Sequence, residues 1–158
     1  MILYFLRHGV AGSREEWKGD DALRPLTKKG MKNMVRQAES LADLDLDLSI
    51  ILTSPLARAF QTADIVAHEL KLGEKLVQDE RLAPGFGIEE LAQVLKDHTD
   101  AENIMLVGHE PDFSQTIADL VGGRVQLKKG GLARVDVTSA DPLQGELVWL
   151  LPPRMMIR

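Results

Sequence analysis

Ile2-Leu3-Tyr4-Phe5-Leu6-Arg7-His8-Gly9 opens the chain. Its apolar residues run without a break and stop at a charged turn with a glycine. A short uninterrupted apolar run bounded in this way reads as a strand buried on both faces. Ile104-Met105-Leu106-Val107-Gly108-His109-Glu110-Pro111 repeats the pattern far along the chain. Each run delivers a histidine where the strand ends. In an open α/β sheet, ligands bind beyond the carboxyl ends of the strands. Two strand ends carrying a histidine apiece, one with an arginine beside it, point to one cationic site able to hold a phosphoryl group.

The residues between these runs alternate helix and strand signals. Thr27 reads as an N-cap, and Met31, Met34, Val35, Ala38, Leu41 and Ala42 follow at the spacing of one helix face. Residues 49–53 form another short apolar strand. Ser54-Pro55 then reads as a cap followed by proline at the first helical position. Ala59, Ala63, Val66, Ala67 and Leu70 make the buried face of that helix, with Gly73 placed to end it. A short strand is expected near Leu76-Val77, a loop at Pro84-Gly85-Phe86-Gly87, and a helix on Ile88, Leu91, Val94 and Leu95. After the strand at 103–107, Pro111 starts a helix through Phe113, Ile117 and Leu120, which Gly122-Gly123 stops. Leu132 to Val137 and Glu146 to Leu151 alternate more and flank a turn-rich stretch, Ser139 to Gly145. They read as a hairpin at the sheet edge. The expected fold is α/β: a three-layer α/β/α sandwich, mostly parallel, with a C-terminal antiparallel strand pair.

The chain has 158 residues and 44% hydrophobic content. That suits one globular domain spanning residues 1–158. A net charge of −5 argues against a general nucleic-acid binder, though it says little about one cleft. The absence of cysteine removes disulfides, thiolate catalysis and cysteine-ligated metals together. No run approaches membrane-spanning length, and the N-terminus lacks the signature of a secretory signal, so the expected compartment is the cytoplasm.

Phosphoryl transfer needs an in-line nucleophile and positive donors on the non-bridging oxygens. Neutral imidazole is a competent nucleophile near neutral pH, and arginine offers a planar fork that matches phosphate. Arg7 and His8 at one strand end, Arg58 in the first turn of a helix, and His109 at another strand end fit these roles. Any one of them alone has an ordinary structural explanation. Their common placement at strand ends carries the case. His68 and His98 lie in helical stretches among charged neighbours and read as surface residues. Residues 10–26 form a long polar loop that borders the site, and Lys128-Lys129 reads as a solvated turn near its mouth.

Leu6-Arg7-His8-Gly9 resembles the signature of the histidine phosphatase superfamily, which includes the phosphoglycerate mutases. Arg24-Pro25-Leu26-Thr27 with Gly30, Ser54-Pro55-Leu56-Ala57-Arg58-Ala59 with Gln61-Thr62, and Val107-Gly108-His109-Glu110-Pro111 follow in the family's order. Leu82-Ala83-Pro84-Gly85 and Gly130-Gly131-Leu132-Ala133 are similar to the short bacterial branch of SixA-like phosphohistidine phosphatases. The resemblance implies a phosphoglycerate mutase-like fold with His8 as the phosphorylated nucleophile. It implies that Arg7, Arg58 and His109 complete the phosphate pocket, that Gly9 lets the backbone turn closely beside the nucleophile, and that no metal or other cofactor is needed. Larger members carry an acidic proton donor where this chain has Leu82-Ala83-Pro84. Asp79, Glu80 and Glu89 lie nearby but outside that place. A missing acid suits an imidazole leaving group better than an alcohol.

The expectation is therefore a metal-independent phosphatase acting on phosphohistidine in a partner protein, such as a phosphorelay or phosphotransferase-system component, through phospho-His8. Its rivals are a small-molecule phosphomonoesterase on the same scaffold, with Glu80 as acid, and a non-catalytic phosphate-dependent binding module.

Overall fold

The computed structural model describes residues 1–157. Its sheet has six strands: β1 (Ile2–Arg7), β2 (Ile50–Thr53), β3 (Leu76–Gln78), β4 (Asn103–Gly108), β5 (Leu132–Ala140) and β6 (Leu143–Leu151). They lie in the order β3-β2-β4-β1-β5-β6. The first four run parallel, and β5 joins β1 antiparallel and pairs with β6 at the edge. Four helices cover the sheet: α1 (Lys28–Ala42), α2 (Ala57–Glu69), α3 (Ile88–Asp97) and α4 (Asp112–Val121).

The two-residue period of a strand divides the core. Tyr4 and Leu6 of β1, with Met105 and Val107 of β4, face α1 and α2. Leu3 and Phe5, with Ile104 and Leu106, face α3 and α4. A strand buried on both sides must be apolar at every position, which is why these runs lack alternation. The result is the expected three-layer α/β/α sandwich.

Local chemistry explains the helix ends, with some shifts from expectation. The Thr27 hydroxyl accepts from the Gly30 amide and caps α1 as expected. Its buried stripe is Gly30, Met34, Gln37, Ala38 and Leu41, whereas Met31 and Ala42 are exposed. Helix α2 starts at Ala57 rather than Pro55, because Ser54 and Pro55 belong to the turn leaving β2. Nor does Gly73 end α2. Lys71 takes the left-handed conformation at φ 58°, and the Lys71 and Leu72 amides close back on His68 and Ala67. That is a Schellman-type end built on a non-glycine residue. Gly122, at φ 70°, ends α4 as expected.

The C-terminal hairpin is longer than expected. Residues 139, 140 and 143–145, expected in the turn, are strand, and the reversal is confined to Asp141-Pro142. The long loop at 10–26 contains a short 3-10 helix at Asp21–Leu23, and its ends are tied by an Ala11–Leu26 bridge. Among the described residues no helix is long and apolar enough to cross a membrane.

Candidate active site

Strands β1 and β4 are neighbours in parallel register, with Arg7 opposite Gly108. The His8 amide continues the ladder onto the Gly108 carbonyl at 3.1 Å. The next residue on each strand is therefore brought to one place. The His8 and His109 rings lie 5.3 Å apart, tilted by 58°. Gly108 has a packing reason to be glycine: a Cβ there would sit 2.6 Å from the Phe113 ring. On the other side of β4 from β1, the Ser54 amide bonds to Val107 and places the start of α2 beside them. Arg58 comes from that first turn. The four residues expected at strand ends thus line one cleft of about 480 Å³, together with Arg24 and Lys129.

The rings are buried, His8 at 7% exposure and His109 at 4%. Burial holds His8 down to a pKa of about 3, against a smaller opposing effect of its bond to Gly9. Burial first, then the charge of Arg58, lowers His109 to about 4. Both imidazoles are neutral at pH 7. They are held by different nitrogens. His8 Nδ1 lies 2.7 Å from the Gly9 carbonyl oxygen. A carbonyl only accepts, so Nδ1 carries the proton and Nε2 keeps its lone pair. His109 is held by Nε2, 2.7 Å from the Ser54 hydroxyl.

Arg7 donates to the Leu127 carbonyl at 3.0 Å, and burial lowers its pKa. Arg58 is 2% exposed and donates to the Asp21 carbonyl and carboxylate at 3.0 and 3.1 Å. Its pKa is lowered by burial first and then by Arg24. Guanidinium does not lose its proton in proteins, so both remain cations. Among the described residues, four buried side-chain polar atoms lack a partner. Three belong to this cleft: Arg7 Nε, Arg58 Nε and His109 Nδ1. They sit on residues that line one cleft, two of them guanidinium cations, and that charge suits the cleft to an anion.

Helix α2 organises the wall. The Thr62 hydroxyl accepts from the Gly9 amide at 3.0 Å, and Gln61 accepts from Leu26 at 2.8 Å. Asp21 gathers Arg58 and Arg24, and Arg24 in turn clamps the Gly12 carbonyl. Its carboxyl is held below the usual range, chiefly by the Arg24 hydrogen bond. Loop 10–26 is thereby fastened as one side of the cleft.

Several expected neighbours lie elsewhere. Gly9 does not line the cleft. Its amide is spent on Thr62, its carbonyl on His8, and a Cβ would sit 2.7 Å from Met34. It stands behind the His8 ring, off the cleft wall. Asp79 is bound to Arg81 at 2.6 Å, while Glu80 and Glu89 are exposed and off the cleft. The acids that do line it are Glu110, whose oxygens accept from the Ser114 amide and hydroxyl, and Asp112, which accepts from the Gly85 amide. Lys128 and Lys129 are both exposed, and Lys129 borders the cleft. His68 is exposed and His98 half-buried, both outside the cleft. Among the described residues no three His, Cys, Asp or Glu side chains are grouped to hold a metal.

Asp21, Ser54 and Thr62 join the site through contacts that the sequence pattern does not signal. Their contacts join residues 37, 55 and 53 positions apart, and such separations leave no local signal. Only the ordered motifs containing Ser54 and Thr62 hinted at them.

Known proteins agree with this architecture. A solved structure of the protein histidine phosphatase SixA complexed with tungstate is similar at TM-score 0.86 and 23% identity, covering 98% of this chain and 99% of that one. The alpha-ribazole phosphatase of Shigella flexneri shares the fold at TM-score 0.77 and 19% identity, covering 97% of each chain. An uncharacterised protein of Picosynechococcus is 37% identical over 84% of this chain and 82% of its own length. A model of the histidine phosphatase superfamily (branch 1) matches residues 3–87, more than half of the chain. With its fold, its two strand-end histidines and this match, the chain belongs to the histidine phosphatase superfamily.

Proposed function

We propose that the protein is a metal-independent phosphatase that hydrolyses phosphohistidine on a partner protein through a covalent phospho-His8. The observation that carries this reading is the bond from His8 Nδ1–H to the Gly9 carbonyl. It leaves a neutral Nε2 lone pair beside Arg7, Arg58 and His109. Nε2 attacks phosphorus as the P–N bond of the substrate breaks. The substrate imidazole, protonated on its other nitrogen, leaves as a neutral ring. No proton has to move at His8: the product is an N-phosphoryl imidazolium that keeps its Nδ1 proton on Gly9. Water then forms the new P–O bond as Nε2–P breaks, and His8 returns neutral. The proton lost by the water passes to the released phosphate. Arg7, Arg58 and His109 carry the charge on the equatorial oxygens in both steps.

The substrate class follows from the leaving group. Neutral imidazole needs no strong acid, whereas an alkoxide does. Glu80 is exposed and away from the cleft, and Asp79 is committed to Arg81. Glu110 and Asp112 are engaged in holding the neighbouring backbone. The test compares kcat/KM for a phosphohistidine protein, an aryl phosphate and sugar phosphates, with EDTA present and absent. Strong preference for the phosphohistidine protein, unchanged by EDTA, is expected. Preference for sugar phosphates would move the assignment to a small-molecule phosphomonoesterase. Binding of a phosphoprotein without turnover would mark a binding module.

A further inference from the structure

We propose that Ser54 is a positioning residue that sets the tautomer of His109, so that its Nδ1 presents a proton to the transferring phosphoryl group. The proposal rests on the reading of His109 as a phosphate donor.

Ser54 is fully buried, at 0% exposure. Its Oγ has two neighbours in hydrogen-bond range: the Leu56 amide at 3.2 Å and His109 Nε2 at 2.7 Å. The amide only donates, so one Oγ lone pair is filled by Leu56 N–H. Among the described residues, His109 Nε2 is then the single acceptor recorded for the Ser54 hydroxyl proton. Were the ring to place its own proton on Nε2, the hydroxyl would be a buried donor with nowhere to go. The satisfied arrangement is a relay: Leu56 N–H to Ser54 Oγ, and Ser54 O–H to His109 Nε2. It leaves the proton of the neutral ring on Nδ1, the buried nitrogen without a hydrogen-bond partner, on a residue that lines the cleft. His109 is thus a donor without having to become an imidazolium. The same device, with a carbonyl in place of the hydroxyl, fixes His8 in the opposite sense.

The test reads the tautomer directly. Long-range ¹H–¹⁵N spectra of wild type at pH 7 should show His109 Nδ1 protonated and Nε2 bare, with the Nδ1 proton shifting when inorganic phosphate is added. In Ser54→Ala the ring should become a mixture of tautomers. Its kcat should fall on the order of 10- to 100-fold, the range expected for one lost polar contact, with KM less affected. Ser54→Thr keeps the hydroxyl and should restore the wild-type tautomer. In a His109→Ala background, Ser54→Ala should cost nothing further, because its effect runs through that ring. If Ser54→Ala misfolds, Ser54→Thr and the wild-type spectrum still decide. A wild-type His109 protonated on Nε2, or a Ser54→Ala variant with unchanged tautomer and kcat, overturns the proposal. If the tautomer follows Ser54 but phosphohistidine is not turned over, the substrate reading fails and this one stands.

Discussion

The ends of β1 and β4 are near copies of one another. Both are buried apolar strands, paired in register, and both deliver a buried histidine to the same cleft. They differ in what holds the ring. A backbone carbonyl takes Nδ1 of His8, and a hydroxyl takes Nε2 of His109. Strand position brings the two imidazoles together, and the hydrogen-bond partner separates their chemistry. One ring is left with a lone pair suited to attack phosphorus. The other is left with a nitrogen that asks for an acceptor.

The largest expected effect breaks this pairing outright. His8→Ala should abolish turnover and the capture of radiolabelled phosphate on the protein, because it removes the Nε2 lone pair that the Gly9 bond leaves free. His109→Ala should slow turnover by about 10²–10³-fold, the usual cost of one donor to a transition-state oxygen, yet retain the covalent intermediate in single-turnover experiments. A phosphorylated His8→Ala protein would show that the two histidines have been assigned the wrong way round.

Arg58 comes next. It reaches the cleft from α2 and is braced by Asp21 through both terminal nitrogens. Arg58→Lys keeps the charge but loses the planar fork, so a loss of kcat/KM of about 10²-fold is expected. Unchanged kinetics would remove Arg58 from the phosphate pocket.

The pH dependence of stability probes both histidines together. Their pKa values, about 3 and about 4, lie below the unfolded value of 6.5. The unfolded chain therefore binds more protons than the folded one between these limits. Stability should be full above pH 6.5 and should fall as pH drops from 6.5, through 4 for His109 and on to 3 for His8. Asp21 and Asp79 are lowered from 3.8, so their contributions are lost only below it, outside the range that the urea comparison spans. Urea denaturation of the ligand-free protein at pH 7 and pH 4.5 should show the loss. A His8→Asn, His109→Asn variant should show much less of it. An equal loss in the variant would mean that the rings do not bear the burial cost.

How far the site was legible in the sequence depends on the range of the contact. Arg7, His8, Arg58 and His109 were legible because each follows an apolar run short enough to be a buried strand, or opens the helix after one. The partners that divide the labour between them were not. Ser54 has the local appearance of a helix cap, yet its hydroxyl is drawn to a ring 55 residues away, and the helix begins later. Asp21 lies in a polar loop with no periodicity, and only the folded chain places it on Arg58. Lys71 took the left-handed position expected of Gly73, since the Schellman bonds form one residue after the cap wherever the helix stops. The β5–β6 turn is shorter than its sequence suggests, because Ser139 to Gly145 is rich in turn formers yet most of it pairs as strand. An exposed hairpin tip tolerates such residues within its strands.

The smallest expected effect concerns an acid that neither strand end supplies. Glu80 was the candidate proton donor nearest the family's usual place. It is exposed, follows a short edge strand, and is absent from the cleft walls. Glu80→Gln should therefore leave kcat/KM within about twofold of wild type, the range of an ordinary surface change of roughly 0.5 kcal/mol. That should hold for an aryl phosphate as well as for a phosphohistidine protein. An acid serving the monoester would have to come from the cleft wall, where Asp112 and Glu110 stand. Asp112→Asn and Glu110→Gln are thus the informative partners of the experiment. Loss confined to the aryl phosphate in either variant would show that a wall carboxyl protonates a poor leaving group, while the imidazole departs without it. A large Glu80→Gln loss on both substrates would mean that the loop after β3 folds over the cleft during turnover. The division of labour between the two histidines would then need a third, mobile participant.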